Sequence, residues 1–276
     1  MLAGLGLALG SAALINLGFL LQHRGLTRVV GPTATAVALL RGSLRRPEWI
    51  AGQALGLLGF AGQIAAVALA PLALVQAFSA GGLALSLPLA TRLLGHRLRR
   101  SQTVAIVAIA GALACLPLGL PAFHEHLHTV TLALILGVMG TGATLTLRTR
   151  VPALMAVAAG LFYGITDAVI KAITVLWGPY GAQALLTAWL PIALLATVAG
   201  FVSFQAALRT GDGVDAVVLM TALASVSALA CGLVALGEPY GTGPLTAVVH
   251  LVAVGVVLAC VRPLASAQSR LVEVAR

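Results

Sequence analysis

Charge is scarce in this sequence: Asp, Glu, Lys and Arg make up 8% of its 276 residues and 7 are acidic, whereas a soluble domain carries about 25% charge. Aromatic residues are also few, at 5%. So small a set of polar groups cannot clothe a water-facing surface, and an ordinary soluble domain is excluded. Three cysteines, Cys115, Cys231 and Cys260, stand inside apolar runs without CxxC spacing. They read as core residues, and no disulfide framework or thiolate metal site is expected. The sequence contains no GxSxG, HExxH or Walker A motif and no GxGxxG in a βαβ setting, so no enzymatic function and no cofactor are expected. Without an ATP-binding module, any transport has to be gradient-driven, and polar rings or a filter loop that would announce a channel are missing.

Apolar residues are what the chain has: 60% of the total, with a mean hydropathy of +1.07. Nine stretches are long enough to cross about 30 Å of hydrocarbon as helices. They lie at 2–21, 49–70, 72–94, 102–119, 129–147, 151–177, 183–208, 214–236 and 244–261. A shorter run, Val29 to Leu40, reads as an interfacial or re-entrant piece or as a tenth, short helix. The fold class is therefore an all-α polytopic membrane protein.

The net charge of +9 at first suggests an anionic partner. Sorting the basic residues among the connections removes that need. All 15 arginines fall on one side: Arg24, Arg28, Arg41, Arg45 and Arg46, then Arg92, Arg97, Arg99 and Arg100, then Arg148 and Arg150, then Arg209, and finally Arg262, Arg270 and Arg276. The other side receives none. By the positive-inside rule the N-terminus is external and the C-terminus cytoplasmic. The surplus charge is a topology signal, so no nucleic acid partner is expected, while anionic lipid headgroups are natural neighbours of these arginines. The first span lacks a basic leader and is followed by Gln22-His23-Arg24 where a cleavage site would need small residues, so it reads as an anchor helix that is retained. Trp49 is expected at the cytoplasmic boundary, and Trp177, Tyr180 and Tyr240 at the outer one. The expected location is the inner or plasma membrane, multi-pass.

Leu94-Gly95-His96-Arg97-Leu98 ends the third span and Leu236-Gly237-Glu238-Pro239-Tyr240 the eighth, 142 residues later. Gln63 and Gln205, and Gly18 and Gly160, are separated by the same 142 residues. This spacing suggests two four-helix units, spans 1–4 and 6–9, inverted relative to each other because one linker helix lies between them. Inverted repeats of this kind underlie alternating access in secondary transporters. The expected organisation is a first repeat over 1–120 with a cytoplasmic loop at 22–48, an outer loop and linker helix over 121–150, a second repeat over 151–262, and a cytoplasmic tail over 263–276. Small residues such as Ala80-Gly81-Gly82 and the Gly56, Gly59, Gly62 stripe suit close helix packing in lipid.

The segments Gly18 to Leu26 (GFLLQHRGL), Ala70 to Val75 (APLALV) and the LGHRL connector resemble the drug/metabolite transporter superfamily, most closely its NIPA-like, magnesium-transporter branch. The resemblance is clearest over 10–118 and weaker over 151–262, where Gly160 to Tyr163, Lys171 and LGEPY carry it. It implies a nine-spanning transporter. The chain departs from the branch's pattern at Phe60 and His96, where the branch has glutamate, and at Gln63, where it has asparagine. Mg²⁺ is a hard cation that prefers carboxylate and water oxygens, so these departures turn the expectation toward a small organic metabolite or drug-like solute. Mg²⁺ or another divalent cation is the alternative, and a non-transporting scaffold or lipid-handling protein a further one.

Ionisable groups at membrane depth are functional candidates by default. Asp167 and Lys171, four residues apart on the sixth span, share a helix face, where they could neutralise each other, or where Asp167 could serve as a proton or cation site with Lys171 as its partner or as an anion-contacting group. Asn16, Gln63, Gln76, Tyr163 and Thr166 are candidates for lining a central substrate cavity, or for holding helices together. His250, in the ninth span, is a candidate proton carrier, and His96, Glu238 and Gln205 are candidate gate or connector residues. His124, His126 and His128 in the outer loop form a weak metal-like cluster. The expected partners are membrane lipids and a small-molecule or ion substrate, and a homodimer is compatible with the chain.

Overall fold

The computed structural model describes residues 2–27, 46–82, 84–85, 88, 100–115, 126–210, 213–238 and 243–274. The short run at 29–40, His96, His124 and Tyr240 lie outside the described residues.

Among the described residues there are nine α-helices and no strand. They are α1 (Leu2–Thr27), α2 (Pro47–Leu69), α3 (Leu72–Ala80), α4 (Arg100–Cys115), α5 (Thr129–Arg148), α6 (Pro152–Tyr180), α7 (Trp189–Thr210), α8 (Gly213–Ala235) and α9 (Pro244–Val274). A 3₁₀ helix, Gly181–Leu186, joins α6 to α7. One helix falls in each apolar stretch read from the sequence. Six of them, α1, α2, α5, α6, α7 and α8, contain segments long and apolar enough to cross a membrane. The chain is a multi-pass membrane protein.

Several boundaries differ from the sequence reading. The first helix runs to Thr27, six residues past the expected end and into the expected 22–48 loop. The third stretch is broken: α3 stops at Ala80 and a turn follows at Gly81 and Gly82. A side chain at Gly82 would place its Cβ 2.3 Å from that of Ala12, so close contact with α1 holds the turn in place. The seventh helix starts at Trp189, after the 3₁₀ turn, six residues later than expected. The ninth continues through Pro263 to Val274. At 31 residues it is about 46 Å long, so its last turns extend past its apolar part, Pro244–Cys260.

Glycine decides how closely the helices approach. The Cβ of a residue replacing Gly18 would lie 2.7 Å from the Gly52 carbonyl oxygen, and one at Gly52 would lie 2.6 Å from that of Gly18. The backbones of α1 and α2 are thus in direct contact, as small-residue faces permit in lipid. In the second half the Cβ of a residue at Gly160 would meet the Met220 oxygen at 2.6 Å, which draws α6 onto α8. Helix α6 also packs on α7 and α5, α1 on α3, α3 on α8, and α4 on α9. The core gathers where these meet, around Val67, Leu72, Val75, Ile109, Val169 and Leu236. Val130, Leu134 and Val138 on α5 and Leu251 and Val252 on α9 point outward, as a lipid-facing surface requires. Trp177 and Tyr180 are half exposed at the end of α6, whereas Trp49 is buried in the first turn of α2.

The glycine contacts predict opposite responses at two positions. Gly52→Val should destabilise the protein in detergent by about 1–3 kcal/mol, the usual cost of overpacking. Gly137→Ala, inside α5 and with nothing within 4 Å of the new methyl group, should raise the unfolding temperature slightly, because alanine in a helix interior is favoured over glycine by about 0.5–1 kcal/mol.

Candidate transport site

The site is built on a helix break. Helix α2 ends at Leu69, Ala70 is extended, and Pro71 brings no N–H before α3 begins. Helix ends carry unsatisfied backbone groups, carbonyls at the C-terminus and N–H groups at the N-terminus. In a membrane protein these need partners from the chain itself. Neither flanking residue supplies one, since no side chain caps α3 from Pro71.

Both partners come from the second half. On the α2 side the Lys171 Nζ donates to the carbonyl oxygens of Val67 (2.9 Å) and Ala70 (3.0 Å). On the α3 side the backbone N–H groups of Leu72 and Ala73 donate to the two carboxylate oxygens of Glu238, at 2.5 and 2.8 Å. A cation thus meets the negative end of one helix dipole and an anion the positive end of the next. Both side chains are deeply buried, Lys171 at 1% exposure and Glu238 at 4%.

Local sequence explains how Glu238 gets there. After α8, Gly237 takes a left-handed conformation with φ 63°, which glycine adopts without a Cβ penalty. The Glu238 N–H then returns six residues to the Gly232 oxygen at 3.0 Å and the Leu236 N–H to the Cys231 oxygen at 3.2 Å, so the helix stops in a widened turn. Position 232 also has to be small, because a Cβ there would lie 2.5 Å from Glu238 Oε2. The backbone N–H groups of His126 and His128 donate to the carbonyls of Leu236 (3.4 Å) and Ala235 (2.9 Å), so the segment that leads into α5 docks on the same helix end.

One turn further along α3, Gln76 Nε2 donates to Asp167 Oδ2 at 2.7 Å. Gln76 is buried and Asp167 half-buried. Among the described residues Gln76 is the hydrogen-bond partner of this carboxylate. The spacing of Asp167 and Lys171 does place both toward α2 and α3, but they reach different partners there: the carboxylate goes to an amide, the ammonium to carbonyls. A cavity of about 10 Å³ lies beside Gln76, between α3, α8 and α9, with Ser225 and Val254 among its lining residues.

The other sequence-predicted residues are distributed around this centre. Gln63 accepts from Ser79 Oγ at 2.9 Å and ties α2 to α3. Thr166 donates to the Phe162 oxygen and meets Thr197 Oγ1 of α7 at 3.2 Å. Tyr163 faces α7 as well, against Gly200. Asn16 Nδ2 bonds back to the Ala12 oxygen in its own helix. His250 is buried in α9. Gln205 Nε2 reaches Gln22 Oε1 at 3.4 Å, and Gln22 in turn donates to the Gly52 oxygen. Gln22 and Ser79 were not singled out from the sequence. Gln22 gives a signal as the polar residue that follows the first apolar stretch, inside the GFLLQHRGL segment, and Ser79 gives none beyond its place in a small-residue run. His126 and His128 are exposed, and no group of three or more His, Cys, Asp or Glu side chains among the described residues could hold a metal ion.

The cap geometry predicts a stability order. Gly232→Ala should displace the Glu238 carboxylate and lower stability by about 1.5–3 kcal/mol, the range for charge-assisted hydrogen bonds, whereas Ser79→Ala should lose about 1 kcal/mol. Thermal unfolding in detergent measures both.

Comparison with known proteins bears on the same residues. An uncharacterized protein of Corynebacterium glutamicum is 27% identical over 244 residues, covering 84% of each chain. No solved structure matches. Residues 1–132, which contain the α2–α3 break, Gln63 and Gln76, match the family described as magnesium transporter NIPA, so the resemblance read from the sequence holds over the first half of the chain.

Proposed function

We propose that the protein is a gradient-driven membrane transporter of the drug/metabolite type, moving a small solute by alternating access around Asp167. The observation that carries this reading is the Asp167–Gln76 contact. Asp167 is an acidic residue near the middle of a long apolar helix, it is held across the two halves of the chain, and Gln76 engages one of its two oxygens. Such a group can take up a proton or a cation and release it again.

The packing supports an inverted repeat of α1–α4 and α6–α9. Two of the four pairs of helices with corresponding places in the two halves meet each other, α3 with α8 and α4 with α9, as a two-fold axis between the halves allows. The first helix of each half also packs on the second and third. With the arginines on the cytoplasmic side, the α2–α3 break, Lys171 and Glu238 lie at the outer end, and Gln22 and Gln205 at the inner end. Lipids and the substrate are the partners, in the inner or plasma membrane.

Charge favours a singly charged coupling ion or a small organic solute. Lys171 stands one turn from Asp167, so their Cβ atoms are roughly 6 Å apart. Positive charge brought to Asp167 is opposed by the Lys171 ammonium in proportion to that charge. A divalent ion meets twice the opposition of a monovalent one, with one carboxylate to hold it. Mg²⁺ transport is the second reading, and the family match over residues 1–132 favours it.

Flux in proteoliposomes decides between them. Proton-coupled movement of organic solutes, reduced on the order of tenfold or more in Asp167→Asn, is the expected result. Mg²⁺ flux that Asp167→Asn abolishes would establish the second reading, and neither flux would overturn both. For the topology, single cysteines replacing Arg100 and His126 should label from opposite sides of the membrane, and labelling from the same side refutes the arrangement.

A further inference from the structure

We infer that Glu238 and Lys171 are positioning residues that form a latch: together they hold the outer end of the α2–α3 break closed over Asp167, and the outward-open state requires Glu238 to leave the N-terminus of α3. This rests on the transport reading and assigns the regulation of that same site.

Four observations lead to it. First, α3 has nine residues, about 14 Å of helix, bounded by Pro71 on one side and Gly81 and Gly82 on the other. It is a short segment between two places where the chain can bend. Second, every side-chain hydrogen bond described for α3 crosses to another element: Leu72 and Ala73 to Glu238, Gln76 to Asp167, Ser79 to Gln63. Third, the caps come from 166 and 165 residues away at the α3 end, and from 104 and 101 residues away at the α2 end. A cap meant only to finish a helix is ordinarily supplied by the adjoining residues. Here both ends of the break depend on the second half, so if the halves part, both caps are lost in one event. Fourth, Gln76 lies one turn beyond the capped N–H groups, so freeing the start of α3 also withdraws Gln76 from Asp167. The Gln22–Gln205 contact is the corresponding tie at the opposite end. A transporter closed at both ends opens on one side by breaking the tie on that side.

The test is the sidedness of a reporter on α3. Ala77 is buried; Ala77→Cys is made in a chain whose Cys115, Cys231 and Cys260 are replaced by alanine. The protein is reconstituted in vesicles of known orientation and labelled with a membrane-impermeant maleimide from either side. Glu238→Gln should raise labelling from the outer side several-fold and lower it from the inner side, while Gln205→Ala should do the reverse. Lys171→Gln provides the second variant should Glu238→Gln fail to fold, and should shift labelling outward in the same way. Outer labelling that does not change, or labelling that rises equally from both sides with a lower unfolding temperature, would show a purely structural cap and overturn the latch. The transport reading is read separately: flux that depends on Asp167 with unchanged sidedness in Glu238→Gln removes the latch and leaves the transporter, whereas absence of flux in the unsubstituted protein removes the transporter.

Discussion

Backbone groups left open at a break in a helix have no water to turn to inside a bilayer, and the structure is organised around satisfying them. The Ala70–Pro71 break exposes carbonyls at the end of α2 and N–H groups at the start of α3. An ammonium and a carboxylate answer them, each buried, each matched in sign to the helix end it meets. Burying either charge alone would be costly. Placed together on the two sides of one break, they make the arrangement self-consistent: each charge has its acceptors or donors, and each helix end has its cap.

The two halves of the chain are consequently incomplete without each other. The first half contributes the broken helix and Gln76, the second contributes the charges. Residues with different fates in the sequence, a lysine inside an apolar run and a glutamate in a turn, become parts of one device because α6 and α8 both face α3. In the proposed cycle this interdependence is useful, since the contacts that cap the break are polar, few and directional, set within the apolar core that the halves share. Such contacts switch between made and broken, whereas apolar packing yields gradually.

Much of the architecture was legible from residue patterns, because span length and hydropathy are dictated by the bilayer itself. The place of α3 was less so. Nothing in an apolar run from 72 to 94 says that the helix will stop at Ala80; that follows from how close Gly82 comes to Ala12, a contact between distant segments. The spacing of Asp167 and Lys171 correctly placed both on one face, but spacing cannot say what stands opposite. Carbonyls made available by a helix break are invisible in sequence, so the lysine's partners could not be named. Glu238 was marked through its motif, and Gly237 shows why the motif matters: the left-handed glycine turns the chain back so that the next side chain reaches another helix. Gln63 and Gln205 looked like equivalents across the repeat, yet one bonds within its own half and the other across to Gln22.

Between α5 and α6 stand three residues, Thr149 to Val151, with Arg150 in the left-handed region at φ 56°. Thr149 and Arg150 return N–H groups to Thr146 and Leu147, and the Val151 N–H is held by Thr149 Oγ1. So short and internally bonded a corner contains no slack. Helix α5, the linker of the proposed repeat, is thereby tied closely to α6 and would travel with Asp167 and Lys171 in the proposed cycle. In the proposed cycle the seam of the proposed repeat and the seam of motion would therefore be different lines through the molecule, with the lipid-facing surface of α5 carried through the bilayer by the helix that bears Asp167 and Lys171.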